Sequence, residues 1–268
     1  MKKGTTKSHG NKHNLDKFYT KSNVALYFIN KLNISEFDCI IEPSAGCGSF
    51  SKHIPNSLAY DLHPEYSNIK KQDWLALDKK IFKKYNNILV IGNPPFGTQG
   101  NLALNFIKES KFANKIAFIL PKSFKKISIK NKIPSDFWLI YEEDVPKNSF
   151  TLLGEDYNVP CVFQIWEKRN EKRPIKSVKR KSNYFDFVTK ENADFRIQRV
   201  GGKAGFADKD LNFSKESNYF IKNKSNIPND LLISKINKLD FSIASNTVGP
   251  KSLSKYELIS ILEKFIFT

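Results

Sequence analysis

The sequence predicts an α/β fold whose sheet is mostly parallel and covered on both faces. Three observations predict it. Short apolar runs alternate with helical periodicity as far as Lys168. A small-residue turn, Gly46-Cys47-Gly48, follows one such run within a few positions. Another run, Ile88-Leu89-Val90-Ile91-Gly92, gives way to Pro94 and Pro95, which neither continue a strand nor start an ordinary helical turn.

The elements follow in order. Residues 1–14 read as a flexible basic tail. Val24, Ala25, Phe28, Ile29 and Leu32 recur at helical spacing and place a helix over residues 21–32, with Thr20 or Ser22 as its cap. Residues 38–42 read as a strand, and a short helix is expected after Phe50. Strands are expected at 57–61, just before Asp73, at 87–92 and at 115–120, with a helix at 102–110. Residues 136–142 and 160–167 read as a late antiparallel pair. Beyond Lys168 a run dense in Lys and Arg reads as a linker or a phosphate-contacting arm. Residues 184–188 and 195–200 are strand-like, Gly201, Gly202 and Gly205 imply a tight turn, and Leu258, Ile259, Leu262 and Phe265 share one face of a helix at 255–265. The expected organisation is a tail at 1–14, a main domain at 15–168, a basic linker at 169–183 and a small basic α+β region at 184–268.

Composition narrows the function classes. The 268 residues carry a formal net charge of +17, which raises local phosphate concentration and speeds encounter with nucleic acid. Lys- and Asn-rich usage is the bland account of the same number. Three dispersed cysteines, Cys39, Cys47 and Cys161, form no CxxC and no disulfide framework, and favour a reducing compartment. The four histidines assemble no ligand pattern, so no metal is expected. No secretory h-region or membrane-length apolar run occurs, and a cytoplasmic location is the expectation.

The chemistry gathers at predicted strand ends, where open α/β sheets bind ligands. Gly46 and Gly48 let backbone approach a ligand closely ahead of a helix start. Glu42 precedes them and would repel a pyrophosphate, which favours a cationic ligand such as S-adenosylmethionine. Asp61 ends the next strand, where an acid accepts from ribose hydroxyls or caps a helix. Asp73 could accept from an adenine amino group, with Trp74 either flanking the ring or lying in the core. Asn93 and the Pro94 carbonyl can accept the two N–H bonds of a planar amine, held stiffly by Pro95, while Phe96 stacks on its ring.

The series Phe18-Tyr19-Thr20, Glu42 to Gly48, Tyr60-Asp61, Asp73-Trp74 and Asn93-Pro94-Pro95-Phe96 resembles the class I S-adenosylmethionine-dependent methyltransferases. More narrowly it is similar to the N6-adenine amino-methyltransferases, in the gamma motif order of the DNA enzymes. The resemblance covers residues 14–168 and implies a Rossmann-like, mostly parallel seven-stranded sheet with a late antiparallel strand. It implies that Tyr19 and Thr20 touch the methionine end of the cofactor and that Glu42, Ala45 and Gly46 line it. Asp61 would hold the ribose, Asp73 the cofactor adenine, and Asn93 to Phe96 the target base. Phe150 is a candidate second aromatic wall. Arg196, Arg199 and Lys203 are candidate nucleic-acid contacts, weighed against a solvated basic face.

The expected activity is methylation of adenine N6 in DNA. Three alternatives stand beside it: the same chemistry on RNA, transfer to a protein glutamine amide, and a non-catalytic nucleic-acid-binding subunit on the same scaffold.

Overall fold

The computed structural model describes residues 18–267, so the expectation for residues 1–14 lies outside the described residues. The chain divides into two compact units. The first takes the chain as far as Pro121 and then Lys132–Pro174; the second takes Lys122–Asn131 and the chain from Ile175 onward.

The first unit opens with β1 (Tyr19–Thr20) and α1 (Ser22–Ile29). The helix buries Ala25, Phe28 and Ile29, the stripe its spacing predicts. Neither predicted cap serves: Lys21 is the N-cap, in extended backbone without a side-chain bond, because Thr20 is held in β1 and Ser22 is already helical. Then come β2 (Cys39–Glu42), β3 (Leu58–Asp61), β4 (Lys70–Lys71) and β5 (Ile88–Gly92). The helix expected after Phe50 is a single 3-10 turn, Ser51–His53. α2 (Asn101–Glu109) leads to β6 (Lys115–Pro121), and α3 (Ile127–Lys130) lies in the segment given to the second unit. β7 (Phe137–Asp144), the hairpin β8 (Phe150–Leu152) and β9 (Glu155–Tyr157), and β10 (Cys161–Lys168) complete it.

Seven of these strands form one sheet in the order β4-β3-β2-β5-β6-β10-β7. Pairings from β4 to β6 are parallel, and β10 runs antiparallel to both neighbours. Every residue of β2 and β5 is buried, which is why β5 and β2 up to Ile41 are continuous in apolar residues rather than alternating. A separate small sheet, β1-β8-β9, places Tyr19 opposite Thr151 and Thr20 opposite Phe150.

The second unit holds a four-stranded antiparallel sheet. Its strands are β11 (Phe185–Val188), β12 (Phe195–Gln198), β13 (Ala207–Asp208) and β14 (Asn218–Asn223), in the order β11-β14-β12-β13. α4 (Asn229–Ile236) and α5 (Lys255–Phe265) pack Leu232, Ile236, Leu258, Ile259 and Leu262 onto Phe195, Ile197, Tyr219 and Ile221. Ser254 and Glu257 close a capping box at the start of α5. Glu257 is 2% exposed, and Lys126 from the inserted segment reaches its carboxylate at 3.4 Å.

Candidate active site

The carboxyl ends of β2, β3 and β5 open into one cavity of about 660 Å³. It lies where strand order reverses about β2, the expected ligand position in such a sheet. Its walls include Tyr19, Thr20, Glu42, Asp61, Asp73 and Asn93, residues spread over 75 positions of sequence.

Glu42 ends β2 and is buried, its two carboxylate oxygens accepting from the backbone N–H of Ser51 at 2.7 Å and Phe50 at 3.3 Å. Burial pushes its carboxyl up to about 7, against the pull of those N–H bonds and with a further push from Asp61. Gly46 sits at φ +51°, and a Cβ there would fall 2.7 Å from the Tyr19 ring. Only glycine allows that turn and that approach together. The Tyr19 hydroxyl donates to Glu65, and burial with that bond raises its pKa well above the usual tyrosine value.

Asp61 accepts from Gly46 N–H at 2.7 Å through one oxygen and from His63 N–H at 2.7 Å through the other. It therefore shapes the glycine turn as well as facing the cavity. Asp73 accepts from Leu75 N–H at 2.8 Å through Oδ1. Ala45 is buried against Ala59 and Ile69. Trp74 is a core residue by packing, 1% exposed among Tyr60, Phe82 and Phe112, yet it lines the cavity.

Asn93 follows β5, and Ser44 Oγ donates to its backbone carbonyl at 3.3 Å, tying the turn after β2 to the turn after β5. Pro94 is buried and Pro95 lines the cavity. Phe96 and Phe150 are 7% and 1% exposed, each edge-on to Phe18. Tyr157 stands 5.6 Å from the same ring. Phe96 and Phe150 thus meet a protein ring where open faces for a base are expected.

Sequence reasoning gave no role to Phe18 or Ser44, though both lie within the quoted motifs, and missed Tyr157 and Glu65. Only the aromatic character of Phe18 and Tyr157 offered a signal.

Three polar atoms of residues lining this one cavity are buried with no hydrogen-bond partner among the described residues: Thr20 Oγ1, Trp74 Nε1 and Asn93 Oδ1. Buried polar groups are nearly always paired, so three orphans on one wall mark a place built for a polar ligand. An elongated nucleoside with an amino-acid end fits the set. Glu42, Thr20 and the Gly46 turn suit the amino-acid end, and Asp61 and Asp73 suit the ribose and the base.

Of the predicted nucleic-acid contacts, Arg196 does not fit its expected role. It is 4% exposed and bonded to the Asp210 carbonyl at 2.8 Å and Asn218 Oδ1 at 3.0 Å, with its guanidinium 3.6 Å over Phe213. Its strand position faces it into a polar network of the second unit. Arg199 lies 5.1 Å over Tyr219, with its Nε buried and unpartnered. Lys203 is exposed on the glycine turn.

A seven-stranded sheet in this order, with β10 reversed and the cavity at the ends of β2, β3 and β5, is the class I S-adenosylmethionine-dependent methyltransferase fold, and S-adenosyl-L-methionine is its cofactor. Residues 48–191 match the family described as the EDM2 methyltransferase-like domain, and the chain belongs to that family. It is 27% identical to Protein ENHANCED DOWNY MILDEW 2 of Arabidopsis thaliana over 56% of this chain and 13% of that protein's own length. It is 23% identical to Ribosomal RNA small subunit methyltransferase A of Hydrogenobaculum sp. over 65% of this chain and 74% of that one. A solved SAM-dependent methyltransferase from Anabaena variabilis is similar with a TM-score of 0.38 and 13% identity, over 55% of this chain and 83% of that one.

Proposed function

We propose that the protein is a methyltransferase acting on the N6 amino group of adenine in RNA. The observation that carries the chemistry is Asn93 Oδ1, an acceptor in the wall of the cofactor cavity with no partner among the described residues. An exocyclic amine N–H would satisfy it, and the Pro94 carbonyl offers the second acceptor. Two such bonds draw the nitrogen toward tetrahedral geometry and free its lone pair. Bound S-adenosylmethionine supplies an electrophilic methyl group on sulfur. The protein's own contribution is orientation and electrostatics, with Pro94, Pro95 and the Ser44 bond fixing the turn that carries Asn93.

The polymer is argued separately. The gamma-like motif order favours DNA, and the charge of +17 suits either polymer. RNA leads because the relative aligned over 74% of its length is named for ribosomal RNA. An unpaired adenine in RNA also avoids the few kcal/mol, roughly, that unstacking a duplex base requires.

The test is incubation of the full chain with methyl-labelled S-adenosylmethionine and, separately, ribosomal RNA, single-stranded RNA, duplex DNA and a protein extract, followed by nucleoside and amino-acid analysis. Labelled N6-methyladenosine is the expected product. Label only in deoxyadenosine would move the substrate to DNA, and label in glutamine would move it to protein. Cofactor binding without transfer to any of these would leave a non-catalytic subunit.

A further inference from the structure

We infer that the glycine turn between β12 and β13 is a second RNA contact, holding a phosphate on two backbone N–H groups and two lysines beside an aromatic platform for an unpaired base. The inference rests on the RNA reading above and names a site in the second unit.

The turn's backbone is almost fully committed. Gly201 N–H donates to the Lys251 carbonyl at 2.9 Å, Ala204 N–H to Gly201 at 3.0 Å, Gly205 N–H to Gln198 at 2.8 Å and Phe206 N–H to Lys203 at 2.9 Å. Gly202 and Lys203 N–H, adjacent in the chain, have no acceptor among the described residues. Consecutive unpaired N–H groups of this kind form an anion-binding concavity.

The glycines divide by need. Gly205, at φ +104°, would place a Cβ 2.2 Å from Phe241, so folding requires it. Gly202 has open space where a Cβ would go and no left-handed backbone. Neither packing nor conformation in this chain demands glycine there, and the bare backbone is open to a ligand.

The surroundings match a nucleotide. A cavity of about 580 Å³ is lined by Gly202, Lys203, Phe206 and Lys251, with Asp240 and Asn237 among the remaining walls. Neither Lys203 nor Lys251 has an acidic partner among the described residues. Phe206 is 38% exposed, with the Lys203 ammonium 5.7 Å from its ring centroid. Asp240 is the opposing charge, and its two oxygens are taken by Ser242 N–H at 2.8 Å and Ser242 Oγ at 2.7 Å. Asn237 is spent on both backbone groups of Ala207. Lysines on phosphate with an aromatic under a base is the usual chemistry of single-strand binding.

The experiment is fluorescence anisotropy of the full chain with a labelled single-stranded RNA across a salt series. Lys203→Ala/Lys251→Ala is expected to lower the slope of log affinity against log salt by about 0.7, the value for one phosphate contact on a single strand. Phe206→Ala is expected to weaken binding about fivefold or more with the slope unchanged. Circular dichroism melts check that both variants remain folded. An unchanged slope and affinity in the lysine variant overturns the inference, as does absence of RNA binding by the parent. Displacement of RNA by an equal concentration of mononucleotide would assign the turn to a free nucleotide instead and also overturns it. Parent chain that binds RNA through this turn yet methylates none would sink the functional reading while leaving this site standing.

Discussion

Phe18 stands edge-on against Phe96, with ring centroids 5.2 Å apart and planes at 70°. It meets Phe150 in the same manner at 5.0 Å. Phe18 therefore sits between the two aromatics proposed for the target base. A base that stacks on Phe96 must first displace Phe18.

Removal of that ring tests the relationship. Edge-on aromatic pairs contribute about 0.5–1.5 kcal/mol each. Phe18→Ala is expected to lower KM for the RNA about fivefold or more in steady-state methylation, with kcat little changed. A raised KM would mean that Phe18 itself holds the base.

Asn93→Ala keeps the cavity but deletes its orphan acceptor. Loss of one preorganised hydrogen-bonding group typically slows chemistry by about 10²–10³-fold. Turnover is expected to fall by that order, while calorimetric affinity for S-adenosylmethionine stays within about threefold. Near-normal turnover would remove the Asn93 assignment.

Glu42 makes two opposite pH dependences. Its carboxyl is pushed up to about 7 by burial, so the native protein holds a proton that the unfolded chain releases near the ordinary glutamate value. The protein free of cofactor is therefore expected to lose stability as pH rises through that window. The carboxylate suits a cationic amino group, so cofactor affinity is expected to rise with pH through about 7. Glu42→Gln should flatten both trends, in thermal melts and in calorimetry respectively. Parallel pH profiles for the parent and this variant would dissociate Glu42 from the cofactor.

Lys126 and Glu257 form an ion pair whose carboxylate is 1% exposed and whose lysine is 13% exposed. Lys126→Met leaves Glu257 charged in a buried site with only its Ser254 and Tyr256 bonds. The expected cost is about 3 kcal/mol, at the lower end for a broken buried pair. Denaturant unfolding followed by a fluorophore in the second unit measures it.

Strong local patterns made much of the fold legible. β5 is readable because a strand buried on both faces must be apolar throughout. α5 is readable to the residue because Ser254 and Glu257 mark its start and a clean stripe its length. β1 is two residues long and carries no period, so its pairing with β8 has no local sign. The β8–β9 hairpin turns at Leu153, a non-glycine residue at φ +52°, followed by Gly154, an unusual turn pair. β14 and α4 lie in Asn- and Lys-rich sequence whose periodicity is diluted. At the site, Glu42 and Asp61 announce themselves by ending strands, and Gly46 and Asn93 by the small-residue and proline turns that follow strands. Phe18 and Glu65 act through contacts 78 and 46 positions away, which no local pattern encodes.

The assignment of Lys122–Asn131 to the second unit means that the backbone passes between the two units three times. Lys126 and the buried Phe124 belong to that interpolated stretch. A chain cut after Pro174 would keep those ten residues but lose the Glu257 carboxylate that receives Lys126. The C-terminal portion is thus not a bolt-on reader that recombination could exchange at one joint. Any ancestor that swapped it had to rewrite the link between β6 and β7 as well.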